Sequence, residues 1–171
     1  MKRILYLTQA SIIAALYVVL TYVSAAFGLS SYAIQCRLGE ALCILPIFTP
    51  AAIPGVTIGC FLSNLLTTAS IFDIILGTLA TFVGALGAYY LRHGKLRILS
   101  SLPTVLANAV TVPLILHLMS VPDILYLYTA FTVAVGEIIS CTILGGILSG
   151  VLIKTGLDKE LLIDNKKRNF R

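Results

Sequence analysis

Between Ile4 and Ile153 the chain is a succession of long apolar runs broken by short polar joints, and this pattern constrains its fold more than any single motif does. A helix needs ~17–25 apolar residues to cross the hydrocarbon of a bilayer, and backbone polar groups in lipid must be satisfied within the protein. Of the 171 residues, 58% are hydrophobic and 11% are charged, and mean hydropathy is +1.01, which excludes an ordinary soluble domain. The expected fold is an all-α integral membrane protein: six transmembrane helices in one bundle, with no separate soluble domain.

The basic start Met1-Lys2-Arg3, the apolar run Ile4–Leu20 and the triplet Ser24-Ala25-Ala26 together resemble a signal peptide. The run exceeds the ~7–15 residues of a signal core and more spans follow, so it is expected to be retained as a helix. The net charge of +5 does not point to nucleic acid, because the charges lie at the edges of the spans.

Spans are expected at about 4–27, 38–52, 54–70, 72–91, 98–119 and 124–153, followed by a basic cytoplasmic tail, 154–171. Basic residues mark the cytoplasmic side. They fall at Lys2 and Arg3, at Arg92, Lys95 and Arg97, and in the tail from Lys154 to Arg171, with Arg37 as the exception. If the N-terminus and the Lys95 loop share one side, the stretch Leu38–Ser70 must cross an even number of times, turning near Pro50–Gly55. Both termini are then cytoplasmic, and Gln35, Arg37, Glu40, Asp73 and Asp123 gather near the outer face.

The stretch Gln35–Asn64 is the most unusual part of the chain. Arg37 and Glu40 stand one helical turn apart at the mouth of an apolar run broken by Pro46, Pro50 and Pro54. Irregular backbone at membrane depth is tolerated only where it is buried or lines a cavity, so a binding site is expected there. Arg37 and Glu40 could equally form a surface ion pair at a helix start, and Asp73 could serve as a helix N-cap.

Glu137 lies roughly 20 Å into the last span at 1.5 Å per residue. Even on the lenient insertion scale a lone intramembrane carboxylate costs ~2.5–3.5 kcal/mol, so it needs a protein partner, a proton or a ligand. Tyr126, eleven residues earlier and about 20° around the helix, shares that face nearer the outside. In the fifth span Ser101, Thr104, Asn108 and Thr111 form a polar stripe, and Asn108 can both donate and accept hydrogen bonds. His117 falls about 180° away from it and is set aside.

Small residues form two further patterns. Gly77, Ala80, Gly84 and Gly87 in the fourth span, and Gly146 and Gly150 in the sixth, have the spacing that permits close helix packing. Ala10 and Ala14, with Ser11 and Ala15 alongside, make one flat face of the first span, suited either to packing inside the bundle or to docking on another protein. Cys36, Cys43, Cys60 and Cys141 lack metal or redox spacing and are expected to be packing residues. Gly150–Thr155 has a Lys-Thr pair without the glycine that a phosphate loop requires. No metal cluster, cofactor site or nucleophile motif is apparent, and no enzyme activity is expected.

Four blocks resemble a known family: IQCRLGEALCILPIFTPAAIPGVTIGCFLSN (Ile34–Asn64), FDIILGTLATFVGA (Phe72–Ala85), LPTVLANAV (Leu102–Val110) and VGEIISC (Val135–Cys141). They are similar to the QueT family of queuosine-precursor transporters, among the substrate-binding S components of energy-coupling factor (ECF) transporters. The resemblance implies a six-helix fold in the bacterial cell membrane and uptake of a 7-deazaguanine, such as queuine or its nitrile or aminomethyl precursors. It also implies docking through Ala10 and Ala14 onto a transmembrane coupling subunit carried by two ATPases, which hydrolyse the ATP. The expected substrate contacts are Glu137, Asn108, Arg37, Glu40, Gln35, Asp73 and Tyr126, the last covering the ring face. Two alternatives stay open: an S component for another vitamin-like molecule, or an autonomous proton-coupled carrier using Glu137.

Overall fold

The computed structural model describes residues 2–28, 36–67, 70–93, 97, 99–118 and 124–161. Among these the chain is helix and turn, without a strand. Three helices are long and apolar enough to cross a membrane, Arg3–Ala26, Asp73–Tyr90 and Tyr126–Thr155, and three shorter apolar helices accompany them.

Helix α1 (Lys2–Ala26) buries Ala10, Ile13, Ala14, Tyr17, Thr21 and Ser24, a stripe at intervals of three and four residues. Its other faces expose Ile4, Leu7, Ile12, Leu16 and Val19. The same inversion runs through the molecule: Glu40, Asn64, Thr81, Asn108 and Glu137 are buried, while leucines, isoleucines and phenylalanines cover the outside. In water such a surface would be a large liability; in lipid it is the solvated one.

The chain then returns along α1 as a 3₁₀ helix (Leu38–Ile47), with nine of its ten residues buried. Pro46 supplies no N–H to an α-helical ladder. The tighter winding, at about 2.0 Å per residue, lets ten residues cover ~20 Å, a depth that takes about 13 residues of α-helix. At one end the Leu38 N–H donates to Ser24 Oγ at 2.8 Å. At the other, Thr49 Oγ1 donates to Gln9 Oε1 at 2.9 Å, and the Tyr6 hydroxyl donates to the Pro50 carbonyl at 3.4 Å. The element therefore runs antiparallel to α1 over most of its length.

The chain reverses at residues 48–51, a little before the expected turn, because Pro54 is accommodated in the first turn of α2 (Ala52–Thr67). α2 lies against α1 so closely that a Cβ on Gly59 would sit 2.6 Å from that of Tyr17. The next helix opens with a π turn, Asp73–Gly77, continues as α3 (Thr78–Tyr90) and packs on α4 (Leu102–Leu118). α5 (Ile124–Glu137) leads through a π segment, Ile138–Leu144, into α6 (Gly145–Thr155), and the short α7 (Leu157–Leu161) follows. The 3₁₀ helix sits in the middle, touching α1, α2, α3, α6 and the second π segment.

The glycine stripes separate on inspection. On α3 a Cβ at Gly84 would lie 2.7 Å from the Cα of Thr104, so that position is close-packed as expected. At Gly146 and Gly150 a Cβ would meet nothing within 4 Å, so the expectation of tight packing on α6 is corrected: these glycines border open space.

Candidate functional site

Four separately constructed pieces of backbone converge near the Leu38 end of the 3₁₀ helix. Arg37 and Glu40 come from its start, Asp73, Gly77 and Thr81 from the first π turn and α3, Asn108 from α4, and Glu137 from the last residue of α5, just before the second π segment. Val112, Ile115 and Val133 complete the lining of one cavity. π turns add a residue to a helical turn and re-aim the side chains around it; here one opens at Asp73 and the other follows Glu137.

Glu137 is 6% exposed. Its Oε1 accepts from Asn108 Nδ2 at 2.9 Å, while its buried Oε2 has no hydrogen-bond partner among the described residues. Such an atom is costly to bury unless something donates to it. Asn108 is thereby committed as a donor, leaving its own carbonyl oxygen as an acceptor.

Glu40 differs. It is 1% exposed, which rules out the surface ion pair with Arg37. Its Oε1 accepts from the hydroxyl of the fully buried Tyr17, and its Oε2 from Cys43 Sγ at 3.1 Å. Cys141 Sγ donates to the Glu40 carbonyl at 3.1 Å. The Glu40, Cys43 and Cys141 ligand atoms all lie within 4.8 Å of one another, the arrangement a metal could use. Both thiol hydrogens are already spent on Glu40, so this is a hydrogen-bonded knot that is satisfied as it stands.

Arg37 donates from Nη1 to Asn64 Oδ1 at 3.3 Å, and Asn64 in turn donates from Nδ2 to the Asp73 carbonyl at 3.1 Å. Asp73 is not the helix N-cap, because the helix already begins at Ile71; the Phe72 N–H is met by Ser70 Oγ at 3.2 Å. The polar walls thus comprise one guanidinium, three carboxyl groups, an amide and the Thr81 hydroxyl. The space among them is about 20 Å³, close to what one water needs, so a larger ligand enters only as the walls part.

Five expected residues, Glu137, Asn108, Arg37, Glu40 and Asp73, therefore meet at one cavity. Tyr126 does not line it, lying partly buried about three turns before Glu137, and Gln35 and Asp123 lie outside the described residues. Tyr17, Asn64 and Thr81 were not anticipated. Tyr17 shares the spacing of Ala10 and Ala14, the one signal that marked it. Ala10 and Ala14 are 8% and 7% exposed and meet α2, where a Cβ on Gly55 or Gly59 would come within 3.0 Å of their carbonyl oxygens. In this structure the flat face of α1 is a seam within the bundle, whereas Ser11 and Ala15 are exposed.

A model of the QueT transporter family matches residues 7–154. The chain belongs to the QueT transporter family. It is a multi-pass protein of the cell membrane, and the family is one of transporters. The Queuosine precursor transporter QueT of Lactococcus lactis subsp. cremoris (strain MG1363) is 41% identical over 73 residues, which is 43% of this chain and 43% of that protein. The match thus spans less than half the length of this curated relative. No solved structure matches.

Proposed function

We propose that this chain is the substrate-binding S component of an ECF-type importer and takes up a queuosine precursor, a 7-deazaguanine such as queuine or its nitrile or aminomethyl forms. Family membership supports transport, and the relative's name supports the substrate. The observation that carries the site is the Glu137 carboxylate, with one oxygen held by Asn108 and the other buried without a hydrogen-bond partner among the described residues. A guanine-like edge presents two adjacent N–H donors, which one carboxylate accepts together. Arg37 or the Asn108 carbonyl then serves the opposite edge.

In this proposal the six helical passes all cross the membrane as one domain, residues 1–171, with both termini and the tail 154–171 in the cytoplasm. Arg37, Glu40 and Asp73 then face outward, where substrate arrives. The coupling subunit and its two ATPases are the proposed partners. α1 meets them on the exposed side carrying Ser11 and Ala15, since Ala10 and Ala14 are engaged with α2.

Thermal shift of the purified protein against 7-deazaguanines, riboflavin, thiamine and biotin tests the substrate. Stabilisation by a vitamin alone overturns it. The unpartnered Glu137 oxygen also suits a proton relay, so uptake by this chain alone in liposomes under a pH gradient, without ATPase partners, would replace the S-component proposal with a proton-coupled carrier.

A further inference from the structure

Arg37 and Arg97 line two different cavities of this bundle and are held differently. Arg97 borders a larger one of about 510 Å³, between the 3₁₀ helix, the start of α4 and the second π segment with α6, where its Cζ lies 5.0 Å from the centre of the Phe48 ring. The hydroxyls of Ser100, Ser101, Thr142 and Ser149 line the same space, with no acidic side chain among the described residues around it. Arg37, in the smaller cavity, is held by its edge. Its Nη1 donates to Oδ1 of Asn64, a residue of α2 that is 1% exposed and stands behind the cavity wall.

The orientation of the Asn64 amide is fixed by its surroundings. A guanidinium only donates and a backbone carbonyl only accepts, so the amide oxygen faces Arg37 and the amide nitrogen faces the Asp73 carbonyl, 3.1 Å away. The same nitrogen meets Cys60 Sγ at 3.4 Å, and Cys60 Sγ also accepts from Thr81 Oγ1 at 3.2 Å. A Cβ on Gly77 would lie 3.1 Å from Asn64 Nδ2, so the amide reaches the π turn because residue 77 has no side chain. One buried amide thereby joins the start of the 3₁₀ helix, α2 and the first π turn into a single wall.

Satisfying the Asp73 carbonyl needs only the nitrogen of that amide. The oxygen is used on Arg37, and this second use bears on substrate. A 7-deazaguanine carries acceptors as well as donors: a ring carbonyl oxygen and a ring nitrogen. In the cavity lining Glu40 and Glu137 accept, Asn108 Nδ2 already donates to Glu137, and the Thr81 hydrogen goes to the Gly77 carbonyl at 3.1 Å or to Cys60. Arg37 is therefore the side chain of this lining richest in donors, with four N–H groups beyond the one given to Asn64. A long, flexible side chain costs entropy to order on binding, and holding it in place beforehand converts that cost into affinity.

We propose that Asn64 is a positioning residue of the substrate site: it presets the Arg37 guanidinium to donate to an acceptor atom of the ligand and ties it to the π turn that carries Asp73. The proposal rests on a 7-deazaguanine substrate, and it gives the ligand's acceptor atoms to Arg37.

The test is calorimetric titration of the purified full chain with 7-aminomethyl-7-deazaguanine, for the wild type, Asn64→Ala, Arg37→Gln and the double variant, together with their unfolding temperatures without ligand. Arg37→Gln is expected to lower affinity roughly tenfold to a hundredfold, the loss of a hydrogen bond to a charged group. Asn64→Ala is expected to lower it by about tenfold, and the double variant no further than Arg37→Gln alone, because the two side chains act as one unit. Asn64→Asp keeps the oxygen that Arg37 uses and gives up the donor to the Asp73 carbonyl. It is expected to bind more tightly than Asn64→Ala or Arg37→Gln, although it too is less stable than the wild type. Additive losses in the double variant, or Asn64→Asp binding no better than Arg37→Gln, would make Asn64 a packing residue and overturn the proposal. Either result leaves the substrate reading standing, whereas a wild-type chain that binds no 7-deazaguanine overturns that reading and this proposal with it.

Discussion

The two cavities lie in the same bundle and share the long last helix, yet their walls have opposite chemistry. Glu137, on one side of the second π segment, faces a closed space with three carboxyl groups. Thr142 and Gly146, within and just beyond that segment, face an open space with hydroxyls and a guanidinium. Between them stands Cys141, which lines the larger cavity and donates to the Glu40 carbonyl beside the smaller one. Placing an acid in one cavity and hydroxyls in the next needs only that the helix turn its face over a few residues.

Breaking the wall between the cavities should have the largest effect. Glu40→Ala orphans the Tyr17 hydroxyl and the Cys43 thiol in the core, at about 1–3 kcal/mol for each unsatisfied donor. Chemical denaturation in detergent micelles should show a clear loss of stability, and an unchanged midpoint would mean that this knot is not structural.

Glu137→Gln tests the smaller cavity alone. It keeps the shape but replaces an acceptor oxygen with a donor, so affinity for a 7-deazaguanine should fall by roughly tenfold to a hundredfold. Calorimetric titration showing full affinity would make Glu137 a structural residue.

The two glycine stripes give a smaller contrast. Gly84→Ala drives a Cβ against Thr104 and should destabilise by about 1–3 kcal/mol, the usual cost of overpacking. Gly150→Ala meets open space and should be neutral or stabilising by up to ~1 kcal/mol, through helix propensity alone. Equal midpoints for the two variants would contradict the packing seen at Gly84. The smallest effect is expected for Asp73→Asn, partly exposed at the cavity rim, whose loss of affinity should stay below tenfold in the same titration.

How far the sequence was legible follows the kind of signal each residue carries. The all-helical membrane character was written in apolar run length, and the importance of Glu137 and Asn108 in the expense of polar groups at depth. Glu40 was visible as a charge, but its burial against Tyr17 was not, because it depends on a helix more than twenty residues away. Small-residue spacing at Ala10 and Ala14, and at Gly146 and Gly150, states that a backbone can be approached and leaves open what approaches it. The first pair is filled by α2, while in the second Gly146 borders a cavity and Gly150 open space. Nor does any propensity distinguish ten 3₁₀ residues from ten α residues, since burial on nearly every side decides that winding here.

That winding also has a mechanical side. Rewinding Leu38–Ile47 from about 2.0 to about 1.5 Å per residue would shorten it by roughly 5 Å, close to one α-helical pitch. The element is anchored to α1 at both ends, by Ser24 at Leu38 and by Gln9 at Thr49, so it cannot contract while both anchors hold. It is a stretched tether, and the 25-residue rod of α1 is the strut that keeps it taut.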